Sequence, residues 1–297
     1  MQFVTDFDEV KLIDMANGEK LEKWGNYLLI RPDPQIIWSK KKNPKLWEKA
    51  DARYIRSKTG GGHWETKTRL PDSWQVSFHN LTFNIKPMGF KHTGLFPEQA
   101  VNWSFMINKI KERKKQGKPV KVLNLFAYTG GATVACLEGE ASVCHVDSSK
   151  GMVQWAKENV ISSGHKDSPV RFIVDDVVKF VTREIKRGNK YDAIVMDPPS
   201  YGRGAKGEVW NIETDLENLV NLCTKLLSDD PLFFLINTYT GGLSGTIVSN
   251  LLEMMLEINR KDLIKKGNIS FDEIGIKMED STFVLPCGIT TKWEVQG

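Results

Sequence analysis

Residues 121–147 read KVLNLFAYTGGATVACLEGEASVCHVD, and this stretch determines how the rest of the chain is interpreted. An apolar run ends in a turn that contains Gly130 and Gly131, a short helix-forming segment follows, and a second apolar run closes on Asp147. The order of strand, glycine turn, helix, strand and acid is typical of nucleotide binding at the carboxyl ends of parallel strands. The turn lacks two glycines of the G-x-G-x-x-G pattern, which disfavours a dinucleotide pyrophosphate as the ligand.

Apolar runs and helix-forming segments continue to alternate after this stretch. This alternation favours a parallel sheet that is covered by helices on both faces. The further strands of this sheet are predicted at residues 170–174, 191–196 and 231–236.

The end of the chain predicts a different kind of pairing. Two strand candidates, residues 281–285 and 289–295, are joined only by Pro286, Cys287 and Gly288. Such a short connection joins antiparallel strands, because a parallel crossover needs a dozen or more residues. The sequence therefore predicts an α/β fold with a Rossmann-like, mostly parallel sheet that ends in an antiparallel C-terminal hairpin.

Residues 1–88 are predicted to form a small β-rich N-terminal domain, and residues 89–297 the α/β domain. Between residues 31 and 69, eleven basic residues stand against four acidic ones, a local charge of +7, and the glycine-rich run 57–62 lies within this segment. Cations for phosphates and flat rings for unstacked bases favour contact with RNA. The alternative is a solvated lysine-rich face over aromatic residues that fill a small core. The aromatic residues concerned are Trp38, Trp47, Tyr54 and Trp64.

The composition and the first residues of the sequence indicate where in the cell the protein is expected. At 297 residues and 40% hydrophobic content, the chain can bury a sizeable core. No apolar run approaches the roughly 18 residues of a membrane helix, and the acidic start MQFVTDFDEV lacks the regions of a signal peptide. We therefore expect a cytoplasmic protein without membrane contact. The four cysteines and five histidines show no metal-ligand spacing, so we expect no metal.

Four motifs in the second part of the chain occur in the order of a known family. On these motifs, residues from about 88 to 297 resemble class I S-adenosylmethionine-dependent methyltransferases. The resemblance is to the bacterial ribosomal-RNA branch that forms 5-methylcytosine or 7-methylguanine in 23S RNA, which implies an RNA substrate. The motifs are KHTGLF at residues 91–96, NLFAYTGG at 124–131, DDV at 175–177 and VMDPP at 195–199.

The resemblance implies S-adenosylmethionine as the cofactor and gives several residues a task in holding it. Asp147 and the adjacent Ser148 would bind at the ribose diol, and Asp176 would accept the adenine amino group, with Val177 against the ring. Carboxylates suit these tasks because they accept hydroxyl and amino donors well. The alternative for either acid is a helix N-cap. The backbone that would hold the methionine end belongs to Ala127, Tyr128, Thr129 and Gly130.

The resemblance also implies a catalytic motif, Asp197-Pro198-Pro199, where the methyl donor and the target base meet. The two prolines fix a stiff turn that can aim the Asp197 carboxylate at both cofactor and base, and Tyr201 could stack on a flipped base. Families that methylate exocyclic amines usually place an aromatic residue directly after the prolines, whereas this chain has Ser200.

Methylation of cytosine at carbon 5 needs a thiolate nucleophile. Neither Asp197-Pro198-Pro199 nor the segment 237–240 contains a cysteine, and Cys287, in the predicted hairpin turn, is the only thiol predicted in a loop. We therefore expect methyl transfer to a nucleobase nitrogen or another ready-made nucleophile, without a covalent intermediate.

Three other interpretations stay open at this point. Methylation of a small molecule or a protein would use the same motifs. A nicotinamide-dependent oxidoreductase would share the first strands and the Asp147 acid, but it does not explain Asp197-Pro198-Pro199 or the terminal hairpin. A non-catalytic RNA-binding module would explain the basic segment alone. The sequence leaves the oligomeric state open between monomer and homodimer.

Overall fold

The structure is a computed structural model that describes residues 1–57, 61–204 and 207–296. The chain forms two compact units. The smaller unit comprises residues 3–100 and 275–286, and the larger unit comprises residues 1–2, 101–274 and 287–297. The predicted domain boundary between residues 88 and 89 stays a prediction. Residues 58–60 of the glycine-rich run lie outside the described part of the chain.

The smaller unit is built mainly of β-structure. A five-stranded sheet has the order β1-β2-β3-β4-β5, and a separate hairpin consists of β6 and β7. Neighbouring strands are antiparallel except β3 and β4, which run parallel and are connected through the short helix α1. The elements are β1 Val10–Ala16, β2 Glu19–Trp24, β3 Tyr27–Pro32, α1 Pro44–Trp47, β4 Ala52–Arg56, β5 Gly62–Thr66, β6 Trp74–Phe78 and β7 Leu81–Ile85.

Aromatic residues of the basic segment differ in how far they reach the surface. Trp47 and Tyr54 are buried, and the Trp47 indole donates to Asp14 Oδ2 at 2.9 Å. The half-buried Trp64 donates to the Met88 carbonyl at 2.9 Å. For Trp47 and Tyr54 the alternative of a small aromatic core is thus realised, because both rings pack inside the sheet of the smaller unit.

The larger unit contains the predicted α/β sheet. Seven strands have the order β10-β9-β8-β11-β14-β16-β15. The first five in this order are parallel, and β16 pairs antiparallel with β14. The Rossmann-like, mostly parallel sheet is thus confirmed. Its elements are α2 Ala100–Lys115, β8 Lys121–Leu125, α3 Gly131–Glu138, β9 Ser142–Asp147, α4 Lys150–Ser162, β10 Val170–Val174, α5 Val177–Lys186, β11 Ala193–Met196, β12 Tyr201–Arg203, β13 Val209–Asn211, α6 Ile212–Thr224, β14 Phe233–Thr238, α7 Gly245–Asn259, α8 Lys261–Ile264, β15 Gly267–Lys277 and β16 Val284–Val295.

The C-terminal hairpin exists, but its turn is not where the sequence predicted it. Strand β16 runs unbroken through Pro286, Cys287 and Gly288, and the turn lies at residues 278–283, where the Met278 N–H donates to the Phe283 carbonyl at 2.9 Å. Pairing of β16 with β14 begins only at Ile289, so the missing N–H of Pro286 costs no bond in that ladder.

The glycine of that tripeptide serves packing instead of a turn. A Cβ on Gly288 would lie 2.9 Å from the Tyr239 ring, so the strand needs glycine for close approach. Cys287 accordingly lies in a strand, half-buried, and the prediction of a loop thiol is wrong.

The smaller unit contains a buried ion pair between neighbouring strands. Arg31 Nε and Nη2 donate to the two Glu22 carboxylate oxygens at 2.6 and 2.8 Å, and both side chains are buried. Burial alone would raise the pKa of Glu22, but the charges of Arg31 and Lys20 and the hydrogen bonds from Arg31 outweigh it and lower the pKa to about 2. The carboxylate therefore stays ionised in the folded protein.

Replacing Glu22 with Gln should destabilise the protein by about 3–5 kcal/mol, because it leaves the Arg31 charge buried without its partner. Since the folded-state pKa of Glu22 lies below the ordinary 4.5, its contribution is present above about pH 4.5 and is lost toward pH 2. Denaturant unfolding at neutral pH and between pH 4.5 and 3 measures both effects.

Glu19→Gln is the matched control for this change. It removes the same charge from the same strand, but the Arg53 partner of Glu19 is half exposed, so the cost should be about 1 kcal/mol or less. Equal losses of unfolding free energy in the two variants would show that the buried pair stabilises the protein no more than the exposed pair does.

Candidate active site

The carboxyl ends of the parallel strands form one edge of the larger unit's sheet. The chain passes from β8 outward to β9 and β10, and then returns to place β11 on the other side of β8. Ligands of open α/β sheets bind at such a point, where the strand order reverses. The predicted site residues follow β8, β9, β10 and β11, so the fold brings all of these segments to one edge.

The loop after β8 has an unusual backbone. Phe126 and Tyr128 have φ values of 53° and 50°, and Gly130 has 85°. Positive φ costs a non-glycine residue of order 1–3 kcal/mol, so the surroundings must hold this shape. The Ala127 N–H donates to the Val146 carbonyl at 3.1 Å, and the Gly130 N–H donates to the Ala127 carbonyl at 2.9 Å.

Asp147 connects this loop to the start of α4. Its Oδ2 accepts the Tyr128 N–H at 2.9 Å, and its Oδ1 accepts the Ser149 N–H at 2.8 Å. Burial raises the pKa of Asp147, while the two N–H donors lower it, with a net upward shift. Ser149, and not the half-buried Ser148, caps α4 by accepting the Met152 N–H at 3.4 Å.

Buried polar side chains support the loop from below. Asn159 of α4 donates to the Thr129 carbonyl at 2.8 Å. Thr133 Oγ1 accepts from Asn124 at 2.9 Å and lies 2.9 Å from His145 Nδ1, and burial lowers the pKa of His145 to about 3. The supporting role of these residues was not predicted, although Asn124 and His145 are visible in the sequence as polar exceptions inside apolar strands.

After β10, the two aspartates have different partners. Asp175 pairs with Arg183 and accepts the Asp176 N–H at 2.9 Å. Asp176 caps α5, because its Oδ1 accepts the Lys179 N–H at 2.9 Å. The N-cap alternative is thus realised for Asp176, and its second oxygen remains able to accept a further donor. Val177 is buried in the hydrophobic core.

The Asp197-Pro198-Pro199 turn follows β11 and is held from two sides. The Asp197 N–H lies 3.4 Å from the Leu125 carbonyl. The Trp210 indole donates to the Pro199 carbonyl at 2.7 Å, and its ring centroid lies 4.9 Å from that of Phe126. Trp210 therefore connects this turn to the loop after β8, a contact that the sequence analysis missed.

Residues beyond the prolines reach the surface. Ser200 and Thr240 hydroxyls lie 2.6 Å apart and join the loops after β11 and β14. Tyr201 is 55% exposed, and its hydroxyl accepts from Arg203 Nε at 3.0 Å. Pro198 is buried, whereas Pro199 is exposed. Within residues 1–57, 61–204 and 207–296, no group of His, Cys, Asp and Glu is arranged to hold a metal ion.

A family model described as S-adenosylmethionine-dependent methyltransferase matches residues 52–238. The match covers more than half of the chain. The chain belongs to this family, it is an enzyme of the transferase class, and its cofactor is S-adenosylmethionine. Family membership favours methyl transfer over the nicotinamide chemistry that the first strands alone would allow.

Solved structures show the same fold. A SAM-dependent methyltransferase from Agrobacterium tumefaciens is 34% identical, with a TM-score of 0.90 over 97% of this chain and 91% of that chain. A putative SAM-dependent methyltransferase from Streptococcus mutans is 16% identical, with a TM-score of 0.73 over 98% of this chain and 76% of that chain, which shows the fold alone.

Curated relatives are named for their action on ribosomal RNA. Ribosomal RNA large subunit methyltransferase K/L of Shewanella frigidimarina is 34% identical over 50% of this chain and 20% of its own length. Ribosomal RNA large subunit methyltransferase K of Neisseria meningitidis serogroup B is 28% identical over 63% of this chain and 51% of its own length. The aligned region thus spans about a fifth of the first relative and half of the second.

None of the helices in the described ranges is long and apolar enough to cross a membrane.

Gly130→Ala should distort the loop after β8, which is predicted to hold the cofactor, more than its backbone strain alone explains. A Cβ there would lie 2.9 Å from the Ala156 Cβ, so either the loop or α4 must shift. The positive φ alone should cost roughly 1–2 kcal/mol of folding stability. The displaced loop should in addition bind S-adenosylmethionine more weakly, which calorimetric titration measures.

Gly188→Ala is the control for strain, since Gly188 has a φ of 69° and a Cβ there would meet nothing within 4 Å. It should lower the melting temperature slightly and leave cofactor affinity intact. Adding Ala156→Gly to Gly130→Ala should restore part of the affinity. Equal affinity in the Gly130→Ala and Gly188→Ala proteins would contradict the steric explanation.

Proposed function

We propose that this methyltransferase acts on a base of ribosomal RNA in the cytoplasm. The observation that supports this substrate is the similarity to ribosomal RNA large subunit methyltransferase K of Neisseria meningitidis over 63% of this chain. The basic segment of the smaller unit supports a polyanionic substrate.

The order of the site residues fits the shape of the cofactor. Asp176, Asp147, the loop 127–130 and Asp197 follow β10, β9, β8 and β11, which are neighbours in this order. With strands about 4.8 Å apart, the row spans roughly 15 Å. Adenine, ribose and the sulfonium with its methionine tail occur in the same order along S-adenosylmethionine.

The donor and acceptor chemistry fits as well. Each Asp147 oxygen already accepts one backbone N–H and has a second lone pair for a ribose hydroxyl. Asp176 uses Oδ1 for the helix cap, which leaves Oδ2 for the adenine amino group. The backbone of Ala127, Tyr128, Thr129 and Gly130 would hold the methionine end. Ser148 would lie beside the ribose and the edge of Val177 beside adenine.

The Asp197-Pro198-Pro199 turn would orient the target base. S-adenosylmethionine supplies a methyl group that is already activated on a sulfonium, so the protein mainly has to position donor and acceptor, which can contribute several kcal/mol. The Asp197 carboxylate would accept a hydrogen bond from the base, and the Pro199 carbonyl is fixed by Trp210. The exposed Tyr201 ring would stack on a flipped base.

The cysteines favour transfer without a covalent intermediate. Cys136, Cys144 and Cys223 are buried, and burial raises the pKa of each thiol, which disfavours the nucleophilic thiolate. Cys287 lies in β16. The proposed acceptor is therefore a base nitrogen or another ready-made nucleophile, which the methyl group reaches by direct in-line displacement.

Asp176→Asn should weaken S-adenosylmethionine binding about tenfold or more without destabilising the protein. Asparagine is as good an N-cap as aspartate, so the cap to Lys179 survives, but its amide group would then face the adenine amino group as a second donor. Asp147→Ala should weaken binding at least as much. Calorimetric titration with the cofactor measures the affinities, and a thermal melt checks the fold.

Asp175→Asn is the control, since its carboxylate pairs with Arg183 within the protein. It should keep nearly full affinity. Wild-type affinity in both the Asp176→Asn and Asp147→Ala proteins would remove these two residues from the cofactor site.

Asp197→Ala should abolish methylation of ribosomal RNA, because the base then loses the acceptor that orients it. Replacement of all four cysteines by serine or alanine should leave turnover nearly intact in a folded protein, because no thiol attacks the base. Methyl transfer from radiolabelled cofactor to large-subunit RNA measures both.

Two outcomes would contradict this chemistry. A covalent adduct between any cysteine and RNA that contains 5-fluorocytosine would establish thiolate catalysis at carbon 5, with Cys287 the first residue to examine. Transfer to a protein or small molecule, with none to RNA, would replace the proposed substrate while leaving the enzyme class unchanged.

A further inference from the structure

The smaller unit presents a pair of aromatic rings at its surface. Trp38 is 38% exposed and Phe283 is 44% exposed, although both are large apolar side chains. Their ring centroids lie 6.2 Å apart at an interplanar angle of 72°, an edge-to-face contact. Ile37, beside Trp38, is 90% exposed. We call Trp38 and Phe283 the aromatic platform.

Two polar contacts hold the platform in place, one at the indole nitrogen of Trp38 and one over a face of the Phe283 ring. The Trp38 indole donates to the Met15 carbonyl at 2.7 Å, which satisfies the only polar atom of the ring and fixes its orientation. Lys42 Nζ lies 3.7 Å from the centroid of the Phe283 ring and donates to Ser281 Oγ at 2.9 Å. Both rings therefore lose little further freedom when a ligand binds.

Two lysines and two acids lie beside the platform residues in the chain. Lys40 and Lys42 are exposed and follow Trp38 closely in the chain. Two acids lie in the turn that precedes Phe283. Glu279 is paired with Lys11 at 3.2 Å, so Asp280 is the acid of this turn that has no ion pair within the described ranges. The surface therefore favours a ligand that is both flat and anionic.

We propose that the aromatic platform binds an unpaired base of the substrate RNA, outside the base that is methylated, with Lys40 and Lys42 on the adjacent phosphates. The inference rests on the proposed function and specifies where the basic segment meets RNA. Aromatic rings with flanking cations are the common means of holding single-stranded nucleic acid. An apolar protein partner fits less well, because it would remove both lysines from water without neutralising them.

The first test is the affinity for a single-stranded RNA of about ten nucleotides, measured by fluorescence anisotropy. Trp38→Ala and Phe283→Ala should each weaken binding about tenfold, and Trp38→Phe should keep most of the affinity because a flat ring remains. A fully paired RNA duplex should bind all these proteins equally, since its bases are not available for stacking.

Phe3→Ala is the matched control. Phe3 belongs to the same unit, is 36% exposed and has Lys277 Nζ 5.8 Å from its ring centroid. It thus repeats the combination of ring and cation without the second aromatic residue, and its replacement should leave RNA affinity unchanged. Cofactor affinity should stay at the wild-type value in every variant, while the melting temperature should fall somewhat in Trp38→Ala and Phe283→Ala, because both lose the contact between the two rings.

The second test measures how RNA affinity depends on salt concentration, which reports on the contacts between lysines and phosphates. Replacing Lys40 and Lys42 with Ala should reduce the slope of log affinity against log salt by about 1.4, because each phosphate contact with single-stranded RNA contributes about 0.7 to that slope. Lys166→Ala in the larger unit, where the side chain is also exposed, should leave the slope unchanged.

The outcomes separate this inference from the proposed function. If the wild-type protein binds and methylates RNA and Trp38→Ala binds it equally well, the aromatic platform is wrong while the proposed function stands. If the wild-type protein binds cofactor but neither binds nor methylates RNA, both are overturned. Loss of single-strand affinity in Trp38→Ala and Phe283→Ala, but not in Phe3→Ala, supports the platform.

Discussion

The loop after β8 depends on the carboxylate of Asp147. One oxygen accepts the N–H of Tyr128, a residue with positive φ, and the other accepts the N–H of Ser149 at the start of α4. The strained turn after β8 therefore has a partner that is fixed by the neighbouring strand. Because this strain costs energy in every folded molecule, the loop keeps its shape only while β8, β9 and α4 stay together.

The same edge of the sheet tolerates several acids because helices begin there. Asp147 and Asp176 shortly precede the starts of α4 and α5, where unpaired N–H groups and the helix dipole favour negative charge. The acids thus complete the helices before any ligand binds. A cationic sulfonium suits this edge better than a pyrophosphate, which agrees with the missing glycines of the 126–131 turn.

The sequence predicted what depends on local pattern, and it failed where distant residues decide. Alternating apolar runs were enough for the parallel strands, and the acids predicted at their ends do lie at one edge of the sheet, while their role in a site stays a prediction. The tripeptide Pro286-Cys287-Gly288 resembles a turn, yet it lies inside β16, because pairing with β14 begins only at Ile289 and Tyr239 packs against Gly288. The position of this turn is decided by the strand that pairs with β16 and by the side chain that packs on it. The spacing of residues along the chain does not reveal either neighbour.

The contact between Trp210 and Phe126 is another feature that only distant residues decide. It connects the loop that would hold the cofactor with the turn that would hold the base. Phe126 begins the loop that would hold the cofactor, and the Trp210 indole fixes the carbonyl of Pro199 in the turn that would hold the base. One aromatic side chain from β13 thus contacts both segments. Because in-line transfer requires donor and acceptor to align within a fraction of an ångström, a residue that touches neither can still govern the rate. In the proposed reaction, Trp210 would therefore have a positioning role that the Asp197-Pro198-Pro199 motif alone does not reveal.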